Sequence, residues 1–300
     1  MITCRLTGGL GNQLFQIFAL IAFGLRTNRP FILPARKREG DGRATYWNTF
    51  LSALENYTNS DQLITDQQLE AFPVFECGHG YTQIECPFRN VCLSGFFQGF
   101  RYFKNEYSRI YEMIDIDRLK RQVDNIHYSG TTVSIHFRIG DYADKQCYHP
   151  VLKREYYEGA IRHVLQSVPR TSIRFYVFYE EADRQRVDEC IRGLRDMFVG
   201  IDFWMMEPAE DWKQLLMMSK CNHHIIANST FSWWGAIFSR NRIDEYSRDK
   251  VVCYPSVWYG HQLYYIPVED LFPRNWVCIS AYTNTLYGDC DCLQYLQSEV

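Results

Sequence analysis

Three hundred residues suffice for one large domain or two of ordinary size. With 46% hydrophobic and 22% charged residues, the chain can bury a substantial core, which excludes disorder as its main state. The net charge of −3 argues against a protein that holds nucleic acid by neutralising phosphates. Aromatic residues reach 16%, a level that suits stacking on a sugar or a base and equally suits a large core.

Ile2 to Thr7 reads as a strand, and Gly8-Gly9-Leu10-Gly11-Asn12 as a turn. From Leu14 to Arg26 apolar residues recur at helical spacing, and Phe31-Ile32-Leu33 is a second short strand. Ala35 to Gly42 reads as an exposed loop, and residues 45 to 128 show only a weak period. Thr131 to Phe137 alternates as a strand does. Strands at Ile173–Phe178, Ile201–Met205 and His223–Ala227 then alternate with helices at Tyr156–Gln166, Ala182–Met197, Asp211–Ser219 and Phe231–Ser239. That succession predicts an α/β fold with a parallel sheet, in which 131–239 makes a Rossmann-like half. Two α/β domains are expected, 1–128 and 129–300, with the last ~25 residues packing back on the first.

The eleven cysteines are odd in number and lack CxxC spacing, Cys290 and Cys292 forming a lone CxC, so no structural zinc is expected. The opening Met-Ile-Thr-Cys-Arg lacks the basic and then apolar stretches of a signal peptide. The longest apolar run, Leu14 to Leu25, contains Gln16 and falls short of the roughly twenty residues that span a bilayer. The expectation is a protein without a membrane span, in a reducing cytoplasm, with free thiols.

Three segments carry chemistry. In the first, glycines at a strand-to-helix turn let the backbone approach an anion beside free N–H groups, or simply make the turn tight. Leu14 stands where GxGxxG requires its last glycine, and the polar pair Asn12-Gln13 favours a ligand site. In the second, His136-Phe137-Arg138-Ile139-Gly140-Asp141-Tyr142, His136 and Arg138 share one face of a strand end. Arg138 there suits a phosphate, the plainer alternative being an ion pair with Asp141. In the third, Asn228-Ser229-Thr230-Phe231-Ser232-Trp233-Trp234-Gly235-Ala236, hydroxyls stand at a helix N-cap after a strand. They serve as caps, as ligands, or as both. The same letters spell a glycosylation sequon, which burial at a strand end disfavours.

Together these segments resemble glycosyltransferase family 11, the α-1,2-fucosyltransferases, and more distantly the protein O-fucosyl- and α-1,6-fucosyltransferases. Gly8 to Gln13 is similar to that family's GGxGNQ, His136 to Tyr142 to its HxRRGDY, and Asn228 to Ala236 to its NSTFSWWGA block. The resemblance covers residues 1 to 240 and implies a GT-B fold, two Rossmann-like domains facing a central cleft, with the acceptor on the loops of 1–128 and the donor held mainly by 129–300. It implies inverting transfer of fucose from GDP-fucose to a galactoside-like glycan in an α-1,2 linkage, with no cofactor and no metal. Arg138 would bind the donor diphosphate, and His136 would lie near the guanine or ribose. Asn228, Ser229, Thr230 and Phe231 would hold phosphates from a helix N-terminus. Gly9, Gly11 and Asn12 would close the cleft beside the sugar, and Asp141 is the acidic candidate for the base.

Three positions depart from the family pattern. Ile139 replaces the second arginine, Gln214 stands where an acid reads the guanine edge, with Asp211 one turn earlier, and Tyr179-Glu180-Glu181 replaces Ser-Asp-Asp. Gln214 is still a hydrogen-bonding partner for a base. The departures leave open a transferase that uses another nucleotide sugar, or a decayed nucleotide-sugar-binding protein. A metal-dependent transferase would need a DxD, which Asp115-Ile116-Asp117 and Asp289-Cys290-Asp291 match in letters, the former reading instead as the acidic start of a helix over Arg118-Leu119-Lys120-Arg121. Oligomeric state is left open.

Overall fold

The computed structural model describes residues 1–35, 44–59, 65–78, 80–123, 129–169 and 172–281. Two parallel sheets organise them. The smaller joins β1 (Ile2–Cys4), β2 (Val74–Glu76) and β3 (Val91–Ser94) in the order β1-β3-β2. The larger joins β4 (Thr131–His136), β5 (Ile173–Phe178), β6 (Asp202–Met205), β7 (His223–Ile225), β8 (Val252–Pro255) and β9 (Val277–Ile279) in the order β6-β5-β4-β7-β8-β9. Every pairing in it is parallel. Two α/β halves with parallel sheets facing one cleft is the GT-B arrangement expected from the sequence.

Strand β4 shows why the larger sheet forms around it. Val133 and Ile135 are fully buried on one face, and on the other the polar residues are buried too, with Ser134 at 1% exposure. These polar groups are paired: Ser134 Oγ lies 2.8 Å from His224 Nδ1, and Thr132 Oγ1 donates to Asn222 Oδ1 at 2.9 Å. A strand covered on both faces sits centrally in a parallel sheet. Helices α5 (Arg154–Ser167), α6 (Arg184–Met197) and α7 (Asp211–Ser219) lie where their apolar periods place them. Strands β8 and β9 and helices α2 (Asp66–Glu70) and α3 (Tyr107–Ile114) are not legible in the sequence, whereas α4 (Ile116–Gln122) covers the helix start read at Arg118–Arg121. Phe31 and Leu33 make single bridges rather than a strand.

The first helix departs from expectation in an informative way. α1 spans Leu10–Thr27, so Gly11 and Asn12 lie in its first turn rather than in a preceding loop. Gly9, extended, is the N-cap, and Gly8 takes φ +78°, which glycine adopts without strain. Gly11 is needed for a different reason. A Cβ there would stand 2.7 Å from the carbonyl carbon of Thr230 and 2.8 Å from the amide nitrogen of Phe231. The neighbour is α8 (Thr230–Ile237), whose first turn presses against that of α1.

Behind this crossing the two halves share one interior. Phe15 of α1 lies 4.6 Å from Trp233, Phe18 lies 4.5 Å from Trp234, and Phe103 stacks on Trp234 at 5.4 Å. Trp234 Nε1 donates to Gly11 O at 2.9 Å, which satisfies the indole and fixes the crossing. α1 is therefore buried almost throughout, and its apolar run is explained by a central position in the molecule. A stretch around Asp270 also lies on the first half. Asp270 Oδ1 meets Arg101 Nη1 at 2.8 Å, and its carbonyl accepts from Phe100 N at 3.2 Å. The expected packing-back of the final residues falls mostly on 282–300, outside the described residues. No described helix is long and apolar enough to cross a membrane. Of the nine described cysteines eight are free thiols and Cys147 is disulfide-bonded, a departure from the all-thiol expectation.

The crossing predicts the cost of filling it. Gly11→Ala forces the two helix backbones apart, and overpacking of this kind costs ~1–3 kcal/mol. The expected outcome is a melting temperature lower by about 2–10 °C in calorimetry. A variant that melts with the parent shows that the crossing does not depend on Gly11.

Candidate active site

All strand ends of both sheets that matter point into one cavity of about 680 Å³. Parallel pairing brings this about, since every carboxyl end in the larger sheet opens on the same edge. Read across that edge, Asp211 and Gln214 follow β6, Tyr179 and Glu180 follow β5, Arg138 and Asp141 follow β4. Asn228 to Phe231 follow β7, and Trp258 and Tyr259 follow β8. From the other half, the end of β1 leads to Gly8–Asn12 and the end of β3 leads to Gln98. The cavity thus gathers every residue expected from the sequence: Gly9, Gly11, Asn12, His136, Arg138, Asp141, Gln214, Asn228, Ser229, Thr230 and Phe231.

Arg138 is the centre of charge. Its Nη2 donates to Asp141 Oδ1 at 2.5 Å, its Nη1 donates to Glu180 Oε1, and its guanidinium lies 5.2 Å from the ring centre of Tyr142. Asp141 is shared, with Lys145 Nζ 3.8 Å from its second oxygen. Gly140, at φ +25°, brings Glu180 close, since a Cβ there would meet its Oε2 at 2.8 Å. Ile139 is 8% exposed and packs among the apolar residues of the larger sheet, Val133, Ile135 and Phe137 included, so the position of the family's second arginine is not part of the cavity lining.

Two helix N-termini converge beside Arg138. Ser229 caps α8 by accepting from Phe231 N at 3.3 Å, and Gly9 opens α1. Asn12 Oδ1 joins them, accepting from Thr230 Oγ1 at 3.0 Å and from Gln98 Nε2 at 3.1 Å. Gln13, fully buried, is turned the other way: its Nε2 donates to Gly8 O at 2.9 Å and Ala44 O at 3.0 Å. Asn228 is 2% exposed and its Nδ2 donates to Pro150 O at 2.9 Å and Trp258 O at 3.3 Å. Its amide therefore binds two loops together behind the site.

The flank after β5 and β6 is rich in hydrogen-bond acceptors. Asp211 accepts from Tyr46 Oη across the cleft, and Gln214 Nε2 donates to Ala209 O at 2.9 Å. Three buried polar atoms of residues lining the cavity have no hydrogen-bond partner, His136 Nδ1, Tyr179 Oη and Asn228 Oδ1. Burial pushes His136 down to about 3, with the Arg138 charge adding to the effect, so its imidazole is neutral. Its ring lies 5.5 Å from Phe231.

Tyr46 and Gln98 come from the stretch in which no period was legible, and Tyr179, Tyr148, His149 and Tyr259 from segments outside the three motifs. Tyr179 has a signal, since it follows a strand legible in the sequence and stands where the family has Ser-Asp-Asp; for the others spacing gives none, because tertiary contacts bring them in. Asp115 and Asp117 lie at the α3–α4 joint, not in the cavity: Asp115 accepts from Arg118 Nε at 2.8 Å and Asp117 from Tyr111 Oη at 2.5 Å. Asp289 to Asp291 lie outside the described residues.

The sequence profile of glycosyl transferase family 11 matches residues 1–280. The chain belongs to that family. As a member of glycosyl transferase family 11 it is a glycosyltransferase, and two curated relatives agree. It is 24% identical over 302 residues to an α-1,2-colitosyltransferase of Escherichia coli, covering 93% of this chain and 99% of the relative. It is 28% identical over 180 residues to the O-antigen biosynthesis glycosyltransferase WbnK of the same organism, covering 56% and 55%. Among solved structures, POFUT1 in complex with GDP superposes with a TM-score of 0.48 at 12% identity, covering 84% of this chain and 97% of that one. The E. coli heptosyltransferase WaaC with ADP gives 0.47 at 9%, covering 100% and 99%.

The buried histidines of this glycosyltransferase set its acid stability. An unfolded histidine takes a proton near pH 6.5, whereas folded His136 does so only near 3. Between those values the unfolded chain binds more protons, so stability falls as pH drops from 6.5 and is unaffected by this group above it. At pH 5 the loss from His136 alone is about 2 kcal/mol, and buried His223 and His224, both lowered by desolvation, add to it. Denaturant melts at pH 5 and 7.5 should show His136→Gln losing less stability on acidification than the parent. Equal losses exclude His136 as a buried neutral group.

Proposed function

We propose that this protein is an inverting fucosyltransferase that moves fucose from GDP-fucose to a hydroxyl of a galactoside-like acceptor, making an α-1,2 linkage. The observation that carries the reading is the convergence of Arg138 with the N-termini of α1 and α8 in one cavity. A guanidinium and two helix ends, each equivalent to about half a positive charge, match a diphosphate. The bond from the anomeric carbon to the phosphate oxygen breaks, and its electron pair stays on GDP. The acceptor oxygen bonds to that carbon from the opposite face and releases its proton. The negative charge that grows on the departing diphosphate is met by Arg138, by Thr230 and by the free N–H groups of the α8 first turn.

The base fits on the flank after β5 and β6. Guanine offers two adjacent N–H donors on its edge, and this flank offers the Asp211 carboxylate beside Gln214. With Gln214 Nε2 held by Ala209 O, its oxygen is the atom left for a ligand. Neutral His136 and Tyr179, with their unpartnered atoms, supply contacts to base or ribose. For the proton, Asp141 is the sequence candidate. Its position between Arg138 and Lys145 suits a brace for the arginine at least as well. Glu180 is the second carboxylate at Arg138. No cofactor or metal takes part in this reading.

A second reading keeps the chemistry and changes the sugar. The E. coli relative is named for colitose, so the linkage is better supported than fucose as the transferred group. A decayed binding protein is disfavoured because Arg138 and both helix ends line the cavity, and Ile139 packs in the core rather than on the cavity wall.

Thermal unfolding with GDP, UDP, ADP and CMP, each with and without a chelator, tests the donor. A nucleotide at a hundred times its dissociation constant adds about 2.7 kcal/mol, which shifts the melting point by several degrees. The expected result is a shift specific to GDP that survives the chelator, is lost in Asp211→Asn and shrinks in Arg138→Ala. Arg138→Ala should also lose transfer by at least ~100-fold while remaining folded. A shift specific to UDP, or seen only with metal, overturns the GDP assignment. Full activity of Asp141→Asn removes it as the base.

A further inference from the structure

One wall of the cavity is a run of contacting rings, drawn from the segment between β4 and α5 and from the segment after β8. The Tyr142 ring, beside Arg138, stacks on His149 with centres 4.9 Å apart and planes 21° apart. His149 in turn lies 6.0 Å from Tyr259, and half-exposed Tyr148 (48%) lines the same wall. Tyr259 Oη donates to Gln98 Oε1 at 2.6 Å, so the first half of the chain closes this flank with an amide. The rings thus step outward from Arg138, away from the acceptor-rich flank after β6.

The wall is built to stay in place. The chain at 146–148 and the chain at 259–262 are in backbone contact, with Gly260 N donating to Tyr148 O at 2.8 Å and Gln262 N to Cys147 O at 3.0 Å. Gly260 is required there, since a Cβ would come within 2.3 Å of Cys147 O. Asn228, at the foot of α8, ties both chains to the diphosphate end of the cavity through Pro150 O and Trp258 O.

We infer that this wall is the acceptor subsite, and that it takes a neutral pyranose laid against the Tyr148, His149 and Tyr259 rings. The inference rests on the transferase reading above, which puts the diphosphate at Arg138 and leaves this flank for the attacking hydroxyl. A pyranose has one face of C–H groups and a rim of hydroxyls. Half-buried rings bordered by the Gln98 amide and the Tyr259 hydroxyl complement both. A second phosphate fits poorly, because Lys145, the cation on this wall, faces Asp141 at 3.8 Å. Tyr142 is a positioning residue in this scheme, since it touches Arg138 as well as His149.

Binding of lactose, N-acetyllactosamine, cellobiose and maltose, followed by saturation-transfer NMR with and without GDP, tests the inference. The wild-type protein is expected to bind at least one of them, with binding at least ten-fold weaker in Tyr148→Ala and Tyr259→Ala. Tyr259→Phe, which keeps the ring, is expected to retain most of it. Tyr148 is half exposed, so its truncation leaves the core intact, and an unchanged melting shift with GDP in Tyr148→Ala reports an intact nucleotide end. The inference is overturned if no pyranoside binds the wild type, or if both alanine variants bind as the wild type does. If GDP fails to shift the wild type, the donor reading falls, and the saccharide comparison made without nucleotide still decides this one.

Discussion

The close approach of two helix N-termini at Gly11 and Thr230 is the constraint on which the rest of the structure depends. Each helix follows a strand of a different sheet, so their contact sets how the two sheets face one another. It also puts two sets of unsatisfied N–H groups side by side, an arrangement unfavourable for the protein alone and favourable around an anion. Trp234 makes the contact specific. Its indole is satisfied by Gly11 O while its rings fill the space between Phe18 and Phe103. The architecture and the two helix ends that face the cavity therefore rest on the same few atoms.

Around that contact the cavity is graded by strand order. Acceptors gather after β6 and β5, the guanidinium stands after β4, helix N–H groups follow β7, and rings from the β4–α5 segment meet those after β8. A ligand with a hydrogen-bonding base, a charged middle and a hydroxylated end matches that order from one flank to the other. The carboxylates of Asp141 and Glu180 on Arg138 limit the net positive charge at the centre. A diphosphate must compete with Glu180 for the same guanidinium nitrogens, which favours an anion whose charge is high and compact.

Legibility in the sequence followed how local each signal was. Strand β5 and helix α7 were readable to the residue because their periods depend on nothing outside them. The start of α1 was misplaced by four residues because Gly11 suggested a turn, whereas its hydrogen atom serves the α8 backbone. Gln13, paired with Asn12 in the sequence, braces the loop at Ala44, which no spacing reveals. Tyr46, Gln98 and Tyr259 enter the site through contacts between distant segments. Asn228 lines the cavity as expected, and the sequence does not show that its Nδ2 also holds two loops.

The shared aromatic interior bears on how such a chain can be recombined. Many proteins with two sheets behave as two cassettes joined by a linker, and a cassette from one relative can be grafted onto another. Here Phe15, Phe18 and Phe103 come from one half, and Trp233 and Trp234 from the other. A graft at the linker would mate ring surfaces that were never fitted to one another. Exchange of one half is thus expected to disturb the common interior, whereas changes confined to the loops that follow the strands leave it intact.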